Sequence, residues 1–247
     1  MKRWSLLDKS DNRHISLGML AGIAVLLLCF CAGIIAAVTG SSVYSAAFKR
    51  GCVSPELNID SDAYAVYYSS LQRFADTNDI QVLKDAEFRC DGQTTAIFDQ
   101  NDIDLLAAAG NAFQGIKITA AVLLVLLIAG IIAVWIKKGR SALAVIASWA
   151  GITFACGLVL CLMAIGLTAL EGSSFSDGLY RLLTFDAIFD YAGGNLSLLY
   201  GRITMDTVTT AAYCMSGFFA VIAAILLAVF SRIDRRTPDL MDDYMYQ

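Results

Sequence analysis

The sequence predicts an all-α membrane protein, with four transmembrane helices carrying a partly helical extracytoplasmic cap. Three observations lead there. Hydrophobic residues make up 57% of the 247-residue chain and charged residues only 16%, where a soluble domain carries about 25% charge. Mean hydropathy is +0.63. Four stretches lack Asp, Glu, Lys, Arg and His and are about as long as the roughly 20 apolar residues a bilayer crossing needs. The same composition excludes a disordered chain, whose signature is low hydrophobicity. A net charge of −4 gives no footprint for nucleic acid.

Taken in order, residues 1–15 read as a cytoplasmic tail and 16–38 as the first span. A basic segment with Lys2, Arg3, Lys9 and Arg13 precedes that span. The apolar run of about 23 residues exceeds a signal peptide's core of about 7–15, so a retained helix is expected. Residues 39–117 form the first outer loop, 118–136 the second span, 137–140 a cytoplasmic turn and 141–170 the third span. Residues 171–207 form the second outer loop, 208–230 the fourth span and 231–247 the cytoplasmic tail.

Orientation follows from the cations. The tail, the turn (Lys137, Lys138, Arg140) and the C-terminal segment (Arg232, Arg235, Arg236) hold ten Lys and Arg in short stretches. Such clustering marks the cytoplasmic side, so both termini are expected inside and both long loops outside. The expected location is therefore a multi-pass place in the cell membrane.

Within residues 39–114 eleven Asp and Glu face five Lys and Arg. Cys52 and Cys90 fall in this loop, while Cys29, Cys31, Cys156, Cys161 and Cys214 lie in the spans. An isolated pair on an oxidising side is expected to form one disulfide. It would close about 38 residues and, in the chain-entropy picture, add roughly 3–4 kcal/mol. Tyr64, Tyr67, Tyr68, Leu71 and Phe74 recur at helical spacing, with Asp60 or Ser61 as the cap. That face is expected to pack on the rest of the loop, and Tyr64 and Tyr68 are also candidates for contact with a ligand or lipid headgroup, where tyrosine is favoured. A second helix is expected over Asp99–Phe113 with Asp99 as its N-cap. Strands are expected around Gln81–Leu83 and Thr94–Phe98. In the second loop Phe175, Leu179, Leu182 and Phe189 suggest an interfacial helix. Asn195-Leu196-Ser197 is a formal glycosylation sequon without meaning in a bacterium.

Candidate chemistry is sparse. Asp186 and Asp190, spaced i and i+4, share a helix face, with Arg181 and Arg202 flanking them and Asp206 just before the fourth span. Two carboxylates near arginines can do acid–base work or hold a polar headgroup. They serve equally as a salt-bridged solvated face. The only histidine is His14, so no metal site is expected, and no cofactor fingerprint is present. Charge-free spans disfavour an ion-coupled transporter, which leaves a small transporter or channel subunit as an outside alternative. Gly18 and Gly22 form a GxxxG pattern, and Ala150, Gly151, Gly157 and Gly166 lie in the third span. These are expected to serve packing inside the bundle more than a dimer contact.

The order and lengths of spans and loops resemble the Lit-like family of bacterial integral membrane proteins. Two segments add to the likeness. Phe98-Asp99-Gln100-Asn101-Asp102, then Leu105-Leu106-Ala107-Ala108 and Asn111-Ala112-Phe113, resembles the family's Phe, acidic residue, His-Met-x-Asp-Val and Phe. Phe185-Asp186-Ala187-Ile188-Phe189-Asp190 resembles its Phe-His-x-x-Phe-Phe. The aromatic frame agrees, but the histidine positions read about Leu105 and Asp186, and the motif's Asp falls near Ala108. Characterised members are lipoprotein intramolecular transacylases, which move an acyl chain within a lipidated N-terminal cysteine. The resemblance thus implies a bacterial inner-membrane protein whose outer cap meets membrane lipids, a lipoprotein or another membrane protein. A lipoprotein or lipid acyltransferase at the outer leaflet, with Asp186 as base, is the enzymatic alternative. A four-pass organiser resembling tetraspanins or claudins is disfavoured, since neither a C-C-G triplet nor the W…G-L-W…C…C pattern occurs.

The cysteine reading predicts a thiol count. Of the seven cysteines, alkylation of the denatured, unreduced protein should label five, with Cys52 and Cys90 appearing only after reduction. Labelling of all seven would remove the bridge.

Overall fold

The computed structural model describes residues 4–49, 61–90, 93–171 and 202–232. The elements are α1 (Trp4–Thr39), α2 (Ser41–Lys49), α3 (Ser61–Thr77), α4 (Gln81–Lys84), β1 (Glu87–Cys90), β2 (Gln93–Ala96), α5 (Gln100–Glu171) and α6 (Arg202–Ser231). Three helical stretches, Arg13–Thr39, Gln100–Met163 and Thr207–Ser231, are long and apolar enough to cross a membrane. The 72-residue α5 is not one straight rod. Gly139 sits at φ 78, ψ −174, a region that only glycine occupies without strain. It divides α5 into arms over 100–138 and 140–171. The break falls inside the segment read as a turn.

The chain forms two compact units. The first comprises Met1–Cys29, Ala120–Gly166 and Gly217–Gln247. Here the second arm of α5 buries Leu143, Ile146, Ala147, Ala150 and Phe154, a stripe at helical spacing. α1 lies against this arm, and the two run parallel. A Cβ on Gly18 would stand 2.5 Å from Trp149 Cβ, and one on Gly22 would stand 2.6 Å from the Ala150 carbonyl oxygen. Further along, Leu26 meets Gly157. Hydrocarbon solvent supplies no hydrophobic drive between helices, so close backbone approach through small residues supplies the contact instead. The GxxxG pattern is therefore spent inside the unit. Gly151 differs, with nothing within 4 Å of its Cβ position. Gly166 lies where side chains are not described. Cys29, Phe154 and Ala220 form a second buried cluster, joined by Leu26, Leu158 and Phe219.

The second unit comprises Phe30–Thr119 and Leu167–Ser216, and aromatic residues dominate its core. Tyr44 and Ala47 of α2 meet Tyr64, Tyr67, Leu71 and Phe74 of α3, together with Leu83, Ile97, Phe98, Ile103 and Leu106. The expected face of α3 is thus the buried face. β1 and β2 pair antiparallel from Glu87↔Ala96 to Cys90↔Gln93, and the Ile97 N–H extends the ladder to the Ala86 carbonyl at 2.9 Å. Gln72 of α3 donates to the Thr39 carbonyl at 2.7 Å, satisfying one of the acceptors that the end of α1 leaves open.

One expectation needs correction. Gln81–Leu83 is not a strand but part of the short helix α4. Asn78 at φ 54 closes α3, its N–H reaching the Phe74 carbonyl at 2.7 Å. Asp79 Oδ1 then accepts the Gln81 N–H at 3.0 Å, an Asx turn that directs the chain into a helical turn. The strand near Thr94 does form, but it pairs with Glu87–Cys90. The helix expected over Asp99–Phe113 starts at Gln100 and runs on without interruption to the Gly139 break. Cys52, Asp60 and the aromatic stretch Phe175–Phe189 lie outside the described residues, and of Cys90 only the backbone is described.

The glycine contacts separate two substitutions. Gly18→Leu should destabilise the folded protein by about 1–3 kcal/mol or more, as overpacking against a rigid neighbour does. Gly151→Leu should stay near the parent. Denaturant titration in mixed micelles checks both, and equal losses at the two positions would refute the packing assignment.

Candidate functional site

The aromatic unit holds the polar groups that could act together, and its first part is the start of α5. Asp99 precedes the helix, and its Oδ1 accepts the Asp102 N–H at 2.7 Å. Asp102 Oδ2 reaches back to the Asp99 N–H at 3.1 Å. This is a capping box with Asp at the third helical position. The Ile103 N–H then opens the helical ladder to the Asp99 carbonyl at 3.0 Å. Asp102 is 0% exposed. A carboxylate is costly to bury without partners, and the open N–H groups and positive end of the helix dipole offset that cost. Gln100 Nε2 donates to Asp104 Oδ1 at 3.0 Å on the exposed side of the same turn.

Above this turn the rings interlock. Tyr67 and Phe98 have centroids 5.6 Å apart, and Tyr64 lies 4.8 Å from Phe48 and 5.5 Å from Tyr67. Tyr44 stacks on Tyr68 at 6.1 Å. These offset and tilted arrangements are those aromatic quadrupoles favour. Val208 of α6 packs on the cluster, and Thr207 beside it is buried.

A third part ties the cluster down. Lys117 Nζ donates to the Ala75 carbonyl at 2.7 Å and lies 3.7 Å from an Asp76 carboxylate oxygen. Gln114 Nε2 donates to the same Ala75 carbonyl at 3.0 Å. Asn78 Nδ2 donates to Asn111 Oδ1 at 3.0 Å. Gly110 allows Phe74 and Asn78 to approach α5, since a Cβ there would stand 2.5 Å from each. Lys117 also sits 5.2 Å from the centre of the Phe113 ring. The last turn of α3 leaves carbonyls open and carries partial negative charge, and the Lys117 ammonium meets both needs.

The structure places the residues singled out in the sequence unevenly. Tyr64 is 1% exposed, inside the cluster, while Tyr68 is half-buried at its edge. Arg202 begins α6, and Asp206 lies two residues before Val208 on the same helix. The side chains of both are not described. Arg181, Asp186 and Asp190 lie outside the described residues. Among the described residues no group of three His, Cys, Asp or Glu could hold a metal. Sequence reading missed Asp102 as the reciprocal partner of Asp99, although Asp-x-x-Asp ahead of an apolar run is its signal. It also missed Lys117 as the cap of α3, because nothing local in sequence joins residues 75 and 117.

No family model matches the chain, and no curated protein matches it by sequence. Solved structures do match. One is an in meso structure of the membrane integral lipoprotein intramolecular transacylase Lit from Bacillus cereus, in a histidine-to-arginine variant. It matches with a TM-score of 0.66 at 13% identity, over 100% of both chains. A histidine-to-alanine variant of the same protein matches with a TM-score of 0.62 at 15% identity, over 96% of this chain and 100% of that one. The likeness read from span order and aromatic frame therefore holds at the level of the fold, over the whole length.

The joint between α3 and α5 generates a prediction. Lys117→Met should weaken it by about 1–3 kcal/mol, the usual worth of a hydrogen bond from a charged donor. Hydrogen exchange at residues 72–78 would accelerate accordingly. Asp76→Asn should change little, by less than about 0.5 kcal/mol, because an exposed ion pair contributes little. The reverse ranking would mean that the ion pair holds the joint.

Proposed function

We propose that this chain is a divergent Lit-like protein of a bacterial inner membrane that binds a lipid-bearing ligand through its outer cap without histidine-based acyl transfer. The observation that carries the reading is a mismatch between fold and chemistry. The Lit fold spans the whole chain, yet the single histidine, His14, belongs to the other compact unit and not to the aromatic one. Acyl transfer needs a base to activate the attacking hydroxyl or amine. The positions that resemble the family's histidines read Leu105 and Asp186.

In this reading the chain crosses the bilayer four times, with the Gly139 break as the reversal between the second and third crossings. Both termini are cytoplasmic. Residues 39–117 and 171–207 form the cap, which the Cys52–Cys90 disulfide would brace. Acyl chains lie along the exposed apolar faces of the helices, where lipid is the natural solvent. Tyr68 meets the ligand at headgroup depth. Arg181 and Arg202 supply cations for a phosphate or carboxylate, with Asp186 and Asp190 as their counter-charges. The ligand is a lipoprotein, a membrane lipid or another membrane protein that presents such a headgroup. A second reading rests on one feature, the position of Asp186 within the aromatic frame Phe185 to Phe189. There Asp186 acts as the base of a lipoprotein acyltransferase.

The test compares cellular lipoproteins with and without this chain, reading the acyl pattern on the N-terminal cysteine by mass spectrometry. A photo-crosslinker at Tyr68 is run in parallel. The expected outcome is an unchanged acyl pattern and a crosslinked lipoprotein or lipid. A shift of one acyl chain that Asp186→Ala abolishes would overturn the binding reading in favour of the enzyme. Neither shift nor crosslink would overturn both.

A further inference from the structure

Away from the aromatic unit, the Gly139 break gathers cations that form no ion pair among the described residues. Lys137, Lys138 and Arg140 flank the break and are all exposed. The Arg140 guanidinium lies over the Trp135 ring at 5.5 Å from its centre, a contact that holds its orientation. α1 brings a further cation within about one turn of it. Its contacts with the second arm of α5 pair Gly18 with Ile146 to Ala150, Gly22 with Ala150 to Phe154, and Leu26 with Gly157. Carried back along two parallel helices, this register puts Arg13 about one turn, ~5 Å, along the axis from Arg140. Arg13 is exposed. His14 beside it has a buried Nδ1 with no hydrogen-bond partner among the described residues. The ion pair found among the described residues is Lys117–Asp76, so none of these cations is held by a described carboxylate.

We propose that this end of the first unit binds the phosphodiester headgroup of an anionic phospholipid. Arg140 and Lys137 contact the phosphate, and Arg13, Lys138 and His14 enclose it. Positive charge at a span end would orient the chain even if it stayed solvated. The features that ask for more are the guanidinium set over Trp135, a second helix that brings Arg13 within about one turn, and the imidazole nitrogen turned into the unit. The combination of fixed arginine, flanking lysines and a tryptophan at the interface suits a lipid phosphate, with the ring at headgroup depth and the acyl chains along the apolar first arm of α5, whose Ile132 and Ile136 are exposed. The proposal requires only that these helices lie in a membrane and does not depend on the cap's ligand.

The experiment uses the full chain purified in detergent. Equal amounts of phosphatidylglycerol and phosphatidylcholine are added, and retained lipid is counted by native mass spectrometry. Because cations at headgroup depth favour anionic lipid, the parent should retain phosphatidylglycerol about tenfold or more over phosphatidylcholine. Lys137→Gln/Lys138→Gln/Arg140→Gln should lose that preference. Because removing three charges could disturb insertion, Trp135→Leu is measured beside it. This variant keeps every charge and should lower the preference severalfold while leaving helical content unchanged. Equal retention of the two lipids by the parent would overturn the proposal. So would an undiminished preference in both variants. Displacement of phosphatidylglycerol by an equal concentration of inorganic phosphate would mean the site takes a free phosphate, and would overturn the lipid assignment as well.

Discussion

The contact on which the aromatic unit depends is that between Lys117 and the open end of α3. The last turn of a helix leaves carbonyls without intrahelical partners, and at the end of α3 the Ala75 carbonyl belongs to a buried residue, where an unmet acceptor costs about 1–3 kcal/mol. Lys117 and Gln114 meet the Ala75 carbonyl from α5, one turn apart. Asn111, a further turn towards the start of α5, takes the Asn78 amide, and Gly110 admits the Phe74 ring. Residues 110, 111, 114 and 117 are spaced at helical intervals, so one face of α5 receives the whole end of α3. α3 carries Tyr64, Tyr67 and Leu71 on its buried side. Seating its end therefore seats the cluster.

The joint falls on the first arm of α5. The capping box at Asp99 and Asp102 starts a helix that no residue interrupts until Gly139. The helix that receives α3 is the one whose later residues form the apolar stretch of length and composition suited to a membrane. A lysine at residue 117, just before that stretch, is the last charge before Lys137. It can satisfy α3 while its ammonium stays near water, the compromise long basic side chains make at an interface. In the other unit the helices meet differently. Small residues replace polar joints, and Gly18, Gly22 and Gly157 let backbones touch. One chain thus uses charged capping where water is near and close apolar packing where it is not.

These two strategies were not equally legible in the sequence. The helix-packing glycines announce themselves by spacing, and the charge-free runs by their length. The buried face of α3 is likewise a local period. What sequence could not show is any joint between distant residues. The bond from Lys117 to Ala75 spans 42 positions, and the bond from Gln72 to Thr39 spans 33. The error at Gln81–Leu83 has a related origin. Val82 and Leu83 read as strand formers, but Asp79 settles the turn through its own side chain. A local Asx turn overrides a weak β preference over so few residues. For the candidate site, the rings could be assigned to a helix face but not ranked. Only the fold distinguishes Tyr64, which is enclosed, from Tyr68, which keeps surface.

The forces that hold the aromatic unit are compatible with a Lit-like fold in a chain whose only histidine, His14, belongs to the other unit. Among the described residues the unit is held by ring packing, by the aspartate capping box, and by the Lys117 and Asn78 joints. None of these uses a histidine. A catalytic group sits where its protons can be exchanged with a substrate, and its removal leaves few packing contacts unmade. Changes at such groups can alter a reaction at little cost to stability, since substitutions at accessible positions usually shift stability by less than about 0.5 kcal/mol. Loss of the Asp99–Asp102 box or the Lys117 joint would instead weaken contacts that hold the unit. The residues that preserve the fold and those that would carry acyl transfer are different sets, so a TM-score of 0.66 over the whole chain reports on the first set, and the chemistry has to be read from the second.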